Sequence, residues 1–326
     1  MPPYNHALTR LTLGGTESLS RFRDILARIP TLEQLALHLT CEDVVPGGTS
    51  TVLDLPSLRH LRISSHYYPI DEWFLALETF RMPALISFSV DHELDLDNAS
   101  LNFNVQFPGR PYLPFRTGVT SPLHRCTRSL KILTLECDAV SYEESEITSL
   151  AQNLPNLTHL RYTTFAPIVG ISPCTAHLLA SLQVAHLKPS LDIPSPKLKW
   201  LEVRELNFRP RFVVELLERV LATAERRTQR AIASGRQSSN IQPLSNIYVW
   251  WNKGGAESEA DSGSDYDSEH ELDQDHEASR ALGHVNPVND LLLARIKALE
   301  QDGIICTVEE RDIRPAWCEG FPSVGV

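Results

Sequence analysis

Aliphatic residues recur along this chain in one spaced phrase: a small residue or proline, any residue, Leu, any two, Leu, any one, then Leu, Ile or Val. It runs through Pro30, Leu32, Leu35 and Leu37, then Pro56, Leu58, Leu61 and Ile63, then Pro83, Leu85, Phe88 and Val90. Further copies span Ser129 to Leu135, then use Pro155, Leu157, Leu160 and Tyr162, and Pro196, Leu198, Leu201 and Val203. A degenerate copy opens the chain at Leu8, Leu11 and Leu13, and a late one falls at Leu244, Ile247 and Val249. The second and third apolar positions are two apart, so they share one face of a strand and their neighbours share the other.

From the first leucine of one phrase to the next, the steps are 24, 26, 27, 45, 27, 41 and 46 residues. The short steps fit single repeats of the leucine-rich kind. The long ones leave two readings: one repeat with an insertion, or a second repeat with a decayed phrase, for instance around Leu101 to Val105.

Helix-like stretches lie between the phrases. One carries Leu19, Phe22, Ile25, Leu26 and Ile29, with Thr16 as N-cap and Pro30 as stop. A second is expected from about Tyr142 to Leu154. A third, from Pro210 to Ala233, has Phe212, Val213, Leu216, Leu217, Val220 and Leu221 on one stripe, and a fourth opens at Asn286 and presents Val288, Leu291, Leu292, Ile296 and Leu299. Strand, helix and next parallel strand make a right-handed crossover, and stacking such units gives an α/β leucine-rich-repeat solenoid. It would be curved, with parallel strands on the concave face and helices and loops outside. Covers for its two ends are expected in the first dozen residues and from Gly303 to Val326. The competing reading, leucines of a doubly wound α/β protein, lacks the Gly-rich strand-to-helix turn of a dinucleotide-binding version.

Three segments are expected: a solenoid over 1–255, an acidic disordered insertion over 256–285, and a C-terminal helix-strand repeat with its cap over 286–326. Residues 256–279 hold ten Asp and Glu and no Lys or Arg, so they account for most of the formal charge of −11. The rest is nearly neutral, and the only basic cluster, Glu225 to Arg230, is too small for a phosphate-binding face; nucleic acid is not an expected partner. No window approaches eighteen apolar residues, which argues against a membrane partner. The six cysteines form no C-x-x-C pair, so a reducing cytoplasmic or nuclear setting is expected, without metal or cofactor.

The phrase P-x-L-x-x-L-x-[LIV], with dissimilar helices between copies, resembles the repeat region of fungal F-box-like leucine-rich-repeat proteins over roughly Leu8 to Val249. The resemblance implies substrate recognition for a cullin-type ubiquitin ligase, whose adaptor subunit binds the F-box. Repeat-like sequence starts at Leu8, so the adaptor is an expected partner only if an F-box lies upstream. A ligase-independent scaffold or inhibitor, binding a protein on the same sheet, is the alternative.

Residues flanking the inward positions should form the binding face. His60, Arg62, His159, Arg161, Trp200, Glu202, Arg204, Tyr248 and Trp250 are its main candidates, joined by Arg10, Gln34, His38, Asp91, Thr134, Glu136 and Asn246. Two Trp, a Tyr and several Arg are the composition of protein-binding hot spots, although any one of these residues taken alone reads as solvated strand surface. His60 and His159 occupy one slot in two copies, but each is followed by Arg62 or Arg161, which disfavours a cation. No nucleophile elbow, Walker loop, H-E-x-x-H or paired carboxylate occurs, so no catalytic residue is assigned and a monomeric binding protein is expected. Gly47 to Thr51 lacks the lysine of a phosphate loop and reads as a turn. Asp265, Asp267 and Glu269 have the spacing of a calcium loop, but His270 stands where glycine is needed.

Ser258, Ser262 and Ser264 each have an acidic residue three positions on, the pattern of an acid-directed kinase. Intact-mass analysis of the protein from cells is expected to find phosphate on this segment; its absence would leave a solvated insertion.

Overall fold

A computed structural model describes residues 8–15, 19–39, 52–65, 79–92, 126, 128–137, 153–165, 171, 173–183, 195–206, 210–233, 241–252 and 289–311. The helix expected at 142–154 lies outside them except at its end. So do Thr16, Gly47 to Thr51, Leu101 to Val105, the acidic segment with its three serines, and residues 312–326.

The strands are β1 (Arg10–Gly15), β2 (Gln34–Leu39), β3 (Leu53–Asp54), β4 (His60–Ser65), β5 (Phe80–Arg81), β6 (Ser87–His92), β7 (Ile132–Cys137), β8 (His159–Phe165), β9 (Trp200–Leu206), β10 (Asn246–Asn252) and β11 (Ile305–Arg311). Four helices accompany them: α1 (Leu19–Leu26), α2 (Pro173–Gln183), α3 (Pro210–Ala233) and α4 (Asp290–Gln301). Nine strands form one parallel sheet in the order β1-β2-β4-β6-β7-β8-β9-β10-β11, and β3 pairs with β5 in a separate ladder. The large sheet runs in chain order from edge to edge. A doubly wound sheet would reverse its order at a switch point, and this one does not.

The spaced phrase explains this order. Its three apolar positions in β2, β4 and β6 through β10, and just before them, are all buried, none more than 3% exposed. Leu35, Leu61, Phe88, Leu133, Leu160, Leu201 and Ile247 lie in register across adjacent strands, so each side chain is covered by its counterparts on either side. One unit alone has no such neighbours.

The prolines act at the strand entrances. The carbonyls of Ile29, Leu55, Met82, Leu154 and Ser195 accept from the amides of Leu32, Leu58, Leu85, Leu157 and Leu198 at 3.0–3.2 Å. Pro30, Pro56, Pro83, Pro155 and Pro196 follow those carbonyl residues, at the turn position where a fixed φ is favourable. The residue before each proline is itself buried, which makes it a fourth core position that the phrase had not included. Beyond the turn, two consecutive amides reach back to one carbonyl of the preceding unit: Glu33 and Gln34 to Thr9, Arg59 and His60 to Glu33, Lys199 and Trp200 to Thr158.

The long steps resolve as one unit with an insertion. β6 pairs directly with β7, β8 with β9 and β9 with β10, so no decayed strand from 93–131, 166–199 or 207–245 lies between them. Part of the second interval is α2, which the sequence reading did not anticipate; it buries Leu178, Leu179 and Leu182. The third is occupied by α3, with the bounds the periodicity gives.

Both ends of the sheet are strands: β1 falls on the degenerate opening copy, and β11 follows α4 as a helix and strand within the segment expected to hold a helix-strand repeat, so the stretches also expected to cover the ends contribute strands. β11 joins β10, which places the residues after the acidic segment in the same sheet. Gly303 makes this possible, because it takes φ +84° after Asp302 ends α4, a conformation that suits glycine. Helix α4 starts at Asp290, later than expected, where the Asn289 side chain accepts from the Leu292 amide at 2.9 Å. Leu292, Ile296 and Leu299 face inward, whereas Leu291 is 66% exposed, against the expected stripe. Among the described residues no helix is long and apolar enough to cross a membrane.

Candidate interaction face

The residues beside the inward columns share the opposite, polar face of the sheet. They form three rows across the strands. The first includes Arg10, Gln34, His60, Ser87, Ile132, His159, Trp200, Asn246 and Ile305, the second Thr12, Ala36, Arg62, Ser89, Thr134, Arg161, Glu202, Tyr248 and Thr307. The third includes Gly14, His38 and Ser64, then Thr163, Arg204, Trp250 and Glu309. Asp91 and Glu136 belong to strands on this face, but their side chains lie outside the description.

The rows are uneven. From β2 to β7 many positions hold short side chains, Ala36, Ser64, Ser87 and Thr134, each buried between its neighbours. His60 and Arg62 stand in this tract, where the Ser64 hydroxyl also bonds to His38 Nδ1. From β8 to β10 nearly every position holds a large one. Seven of the nine main candidates fall on these three adjacent strands, while His60 and Arg62 are three strand spacings from β8, about 14 Å. That distance rules out His60 and His159 as joint ligands of one ion. Among the described residues no group of three or more His, Cys, Asp or Glu could hold a metal.

Glu202 is the centre of the large-residue tract. Its Oε2 accepts from Arg161 Nε at 2.7 Å and its Oε1 from Arg204 Nε at 2.6 Å. The indole Nε1 of Trp250 reaches the same Oε1 at 3.4 Å, and the Arg204 guanidinium lies 4.7 Å from the centre of the Trp250 ring. Glu202 and Arg204 are each only 3% exposed, and Trp250 is buried with them. Burial pushes the Glu202 carboxyl upward, but the charges of Arg204 and Arg161 and their hydrogen bonds outweigh it and hold it below the usual carboxylate range. The carboxylate is therefore ionised and multiply bonded. These three residues, expected as contacts, stand beneath the surface and organise what lies around them.

Among the described aromatic residues of this tract, Trp200 and Tyr248 remain accessible. Their rings stack at 5.7 Å with an interplanar angle of 3°, and His159 tilts against Trp200 at 5.9 Å. Both rings are half-buried, so each keeps one part in contact with solvent. Arg161, whose side chain is 28% exposed, borders them. His159 Nδ1 lies 2.8 Å from the Thr158 hydroxyl, and its pKa is lowered by burial and by Lys199. The pKa of His60 is lowered by burial and then by Arg59 and Arg10, with Glu33 opposing.

Sequence reasoning missed Thr163, Thr307 and Glu309, which share these rows beside the aromatic tract. The signal for the last two was the alternation Ile304, Cys306, Val308, hidden because Gly303 stands where the phrase puts its first leucine. The basic cluster around Arg226 is structural. Arg227 is buried and donates to the Ser195 carbonyl at 3.0 Å, with its pKa pushed down to about 10 by burial; Arg226 bonds to Gln183; Glu225 binds Arg295 at 2.7 and 2.8 Å. These contacts tie α3 to α2, α4 and the entrance of β9. No protein-family model matches this chain, and no curated protein matches it.

Glu202→Ala strands the buried guanidinium of Arg204, removes the partner of the part-exposed Arg161, and should lower the unfolding free energy by about 3 kcal/mol in urea titrations. Arg219→Ala, which breaks an exposed pair with Glu215 at 2.8 Å, should change it by less than about 1 kcal/mol; equal effects would mean that the Glu202 cluster is not desolvated. Because both histidines have lowered folded pKa values, the unfolded chain binds protons more readily. Their contribution is complete above about pH 6.5 and declines as pH falls through that value towards the folded ones. The urea midpoint should fall between about pH 7 and pH 5, and less steeply in a His60→Gln, His159→Gln variant; an unchanged slope would reject this assignment.

Proposed function

We propose that this chain is a leucine-rich-repeat solenoid that binds another protein on the concave strand face, with no catalytic role. The observation that carries the reading is the stacked Trp200–Tyr248 pair, two accessible rings fixed on adjacent strands beside a buried carboxylate that holds Arg161 and Arg204. Large rigid aromatics bordered by arginine suit a protein hot spot, since little side-chain freedom remains to be lost on binding. The surrounding short side chains of β2 to β7 leave a shallow tract along which a partner can lie. Of the kinds of binding protein, substrate recognition of the F-box and leucine-rich-repeat type is favoured by the spaced phrase and its proline entrances. A free-standing scaffold or inhibitor would use the same face, and a cytoplasmic or nuclear setting suits either.

The test is affinity capture from native lysate with the wild-type chain and a Trp200→Ala, Tyr248→Ala variant, after thermal melts show that both fold. Partners should be lost from the variant, with a dissociation constant raised at least about thirty-fold for a hot spot worth about 2 kcal/mol. A cullin adaptor retained by both proteins supports the ligase type, and partners without an adaptor support the scaffold. Identical partner lists would place binding elsewhere.

A further inference from the structure

The inward columns run to both ends of the sheet without the burial they have in its middle. Leu11 and Leu13 in β1 and Cys306 and Val308 in β11 are only half-buried, and Ile305 at the start of β11 is 60% exposed. Among the described residues nothing pairs with the outer edge of either strand.

The two edges are complementary in polarity. In each interior strand the amide of the first polar-face residue donates to the strand before it, as Gln34 N does to Thr9 O at 2.9 Å and Trp200 N to Thr158 O at 3.0 Å. Parallel strands alternate their bonding direction residue by residue, so the main-chain groups of Arg10, Thr12 and Gly14 point to the open edge of β1. By the same alternation the Ile304 carbonyl and the main-chain groups of Cys306 and Val308 point to the open edge of β11. The Ser245 carbonyl, the equivalent of Ile304 one unit earlier, accepts from Ile305 N at 2.8 Å.

Side chains agree with that register. Setting Ile305 opposite Arg10 puts Cys306 beside Leu11 and Val308 beside Leu13, which continues two apolar columns. It also sets Thr307 opposite Thr12 and Glu309 opposite Gly14, so no like charges meet. The opposed strands have seven and six residues, nearly equal lengths.

We propose that the outer edge of β11 in one copy of this chain pairs in parallel with the outer edge of β1 in the next, extending the sheet head to tail. The contact is heterologous, so it generates an open series of assemblies instead of a closed dimer. It is independent of the face proposed for partner binding, whose side chains lie on the flat of the sheet.

Sedimentation velocity on the full chain over a range of concentrations is the first measurement. The expected result is a concentration-dependent series of species beyond the dimer. Thr12→Pro removes an amide that points outward and leaves the β1–β2 bonds in place, so it should abolish the series without loss of circular dichroism signal. Two variants that each add one cysteine to the six of the chain, Thr12→Cys and Thr307→Cys, give a second readout that does not depend on the proline variant folding. Opposed strand positions lie within disulfide reach, about 4.8 Å apart. Peptide mass spectrometry after oxidation should find a crosslink between positions 12 and 307 in the mixture of the two, and no crosslink joining two copies of position 12 or of position 307 in either protein alone. A monomer at every concentration, or crosslinks within a single variant, would overturn the proposal.

Discussion

Each unit of this fold presents three apolar side chains in a row, and along the sheet it covers them with the equivalent side chains of the units before and after it. Everything else in the sheet accommodates that requirement. The strands must be parallel and in constant register, because a slip by one residue would turn every leucine to the polar face. The strand entrances must begin at the same height, which the proline turns and the paired amides onto one carbonyl secure. Insertions are tolerated between units for the same reason, since they lengthen the path back to the sheet without changing the entrance.

Much of this was legible in the sequence. The leucine spacing marks seven strand copies after the first, and the alternation within each separates inward from outward residues. The hidden parts have physical causes. The intervals of 41 to 46 residues are ambiguous by length alone and become clear only through which strands share hydrogen bonds. The last unit is expected as helix and strand, but its phrase is unreadable residue by residue, because at Gly303 a left-handed turn replaces the first leucine and Ile304 fills the core from the next position. Leu291 and Leu292 stand about 100° apart around α4, and the core meets only the stripe through Leu292, Ile296 and Leu299, a choice between adjacent leucines that the apolar pattern does not make.

Burial on the polar face was the least legible property. Parity alone places Glu202, Arg204 and Trp250 outward, and they do point that way. Glu202 is bonded by residues 41 and 48 positions distant in the chain, Arg161 and Trp250, which meet it across the sheet. Reading one strand at a time cannot reveal that three large outward residues meet one another. The ionised carboxylate at their centre fixes the directions of two arginines and an indole, and it gives the accessible Trp200 and Tyr248 rings a rigid surround.

The chain order of the sheet also governs how the protein would respond to mechanical load. Force applied to the two ends of the sheet falls first on an outermost strand, which can leave without disturbing any junction but its own. Extension would then proceed in separate steps, each releasing one unit at about 3.3–3.6 Å per residue. The intervals between phrases, 27 residues in some places and 45 in others, would appear as steps of unequal length. The units bearing α3 and the insertions would pay out the longest stretches of chain.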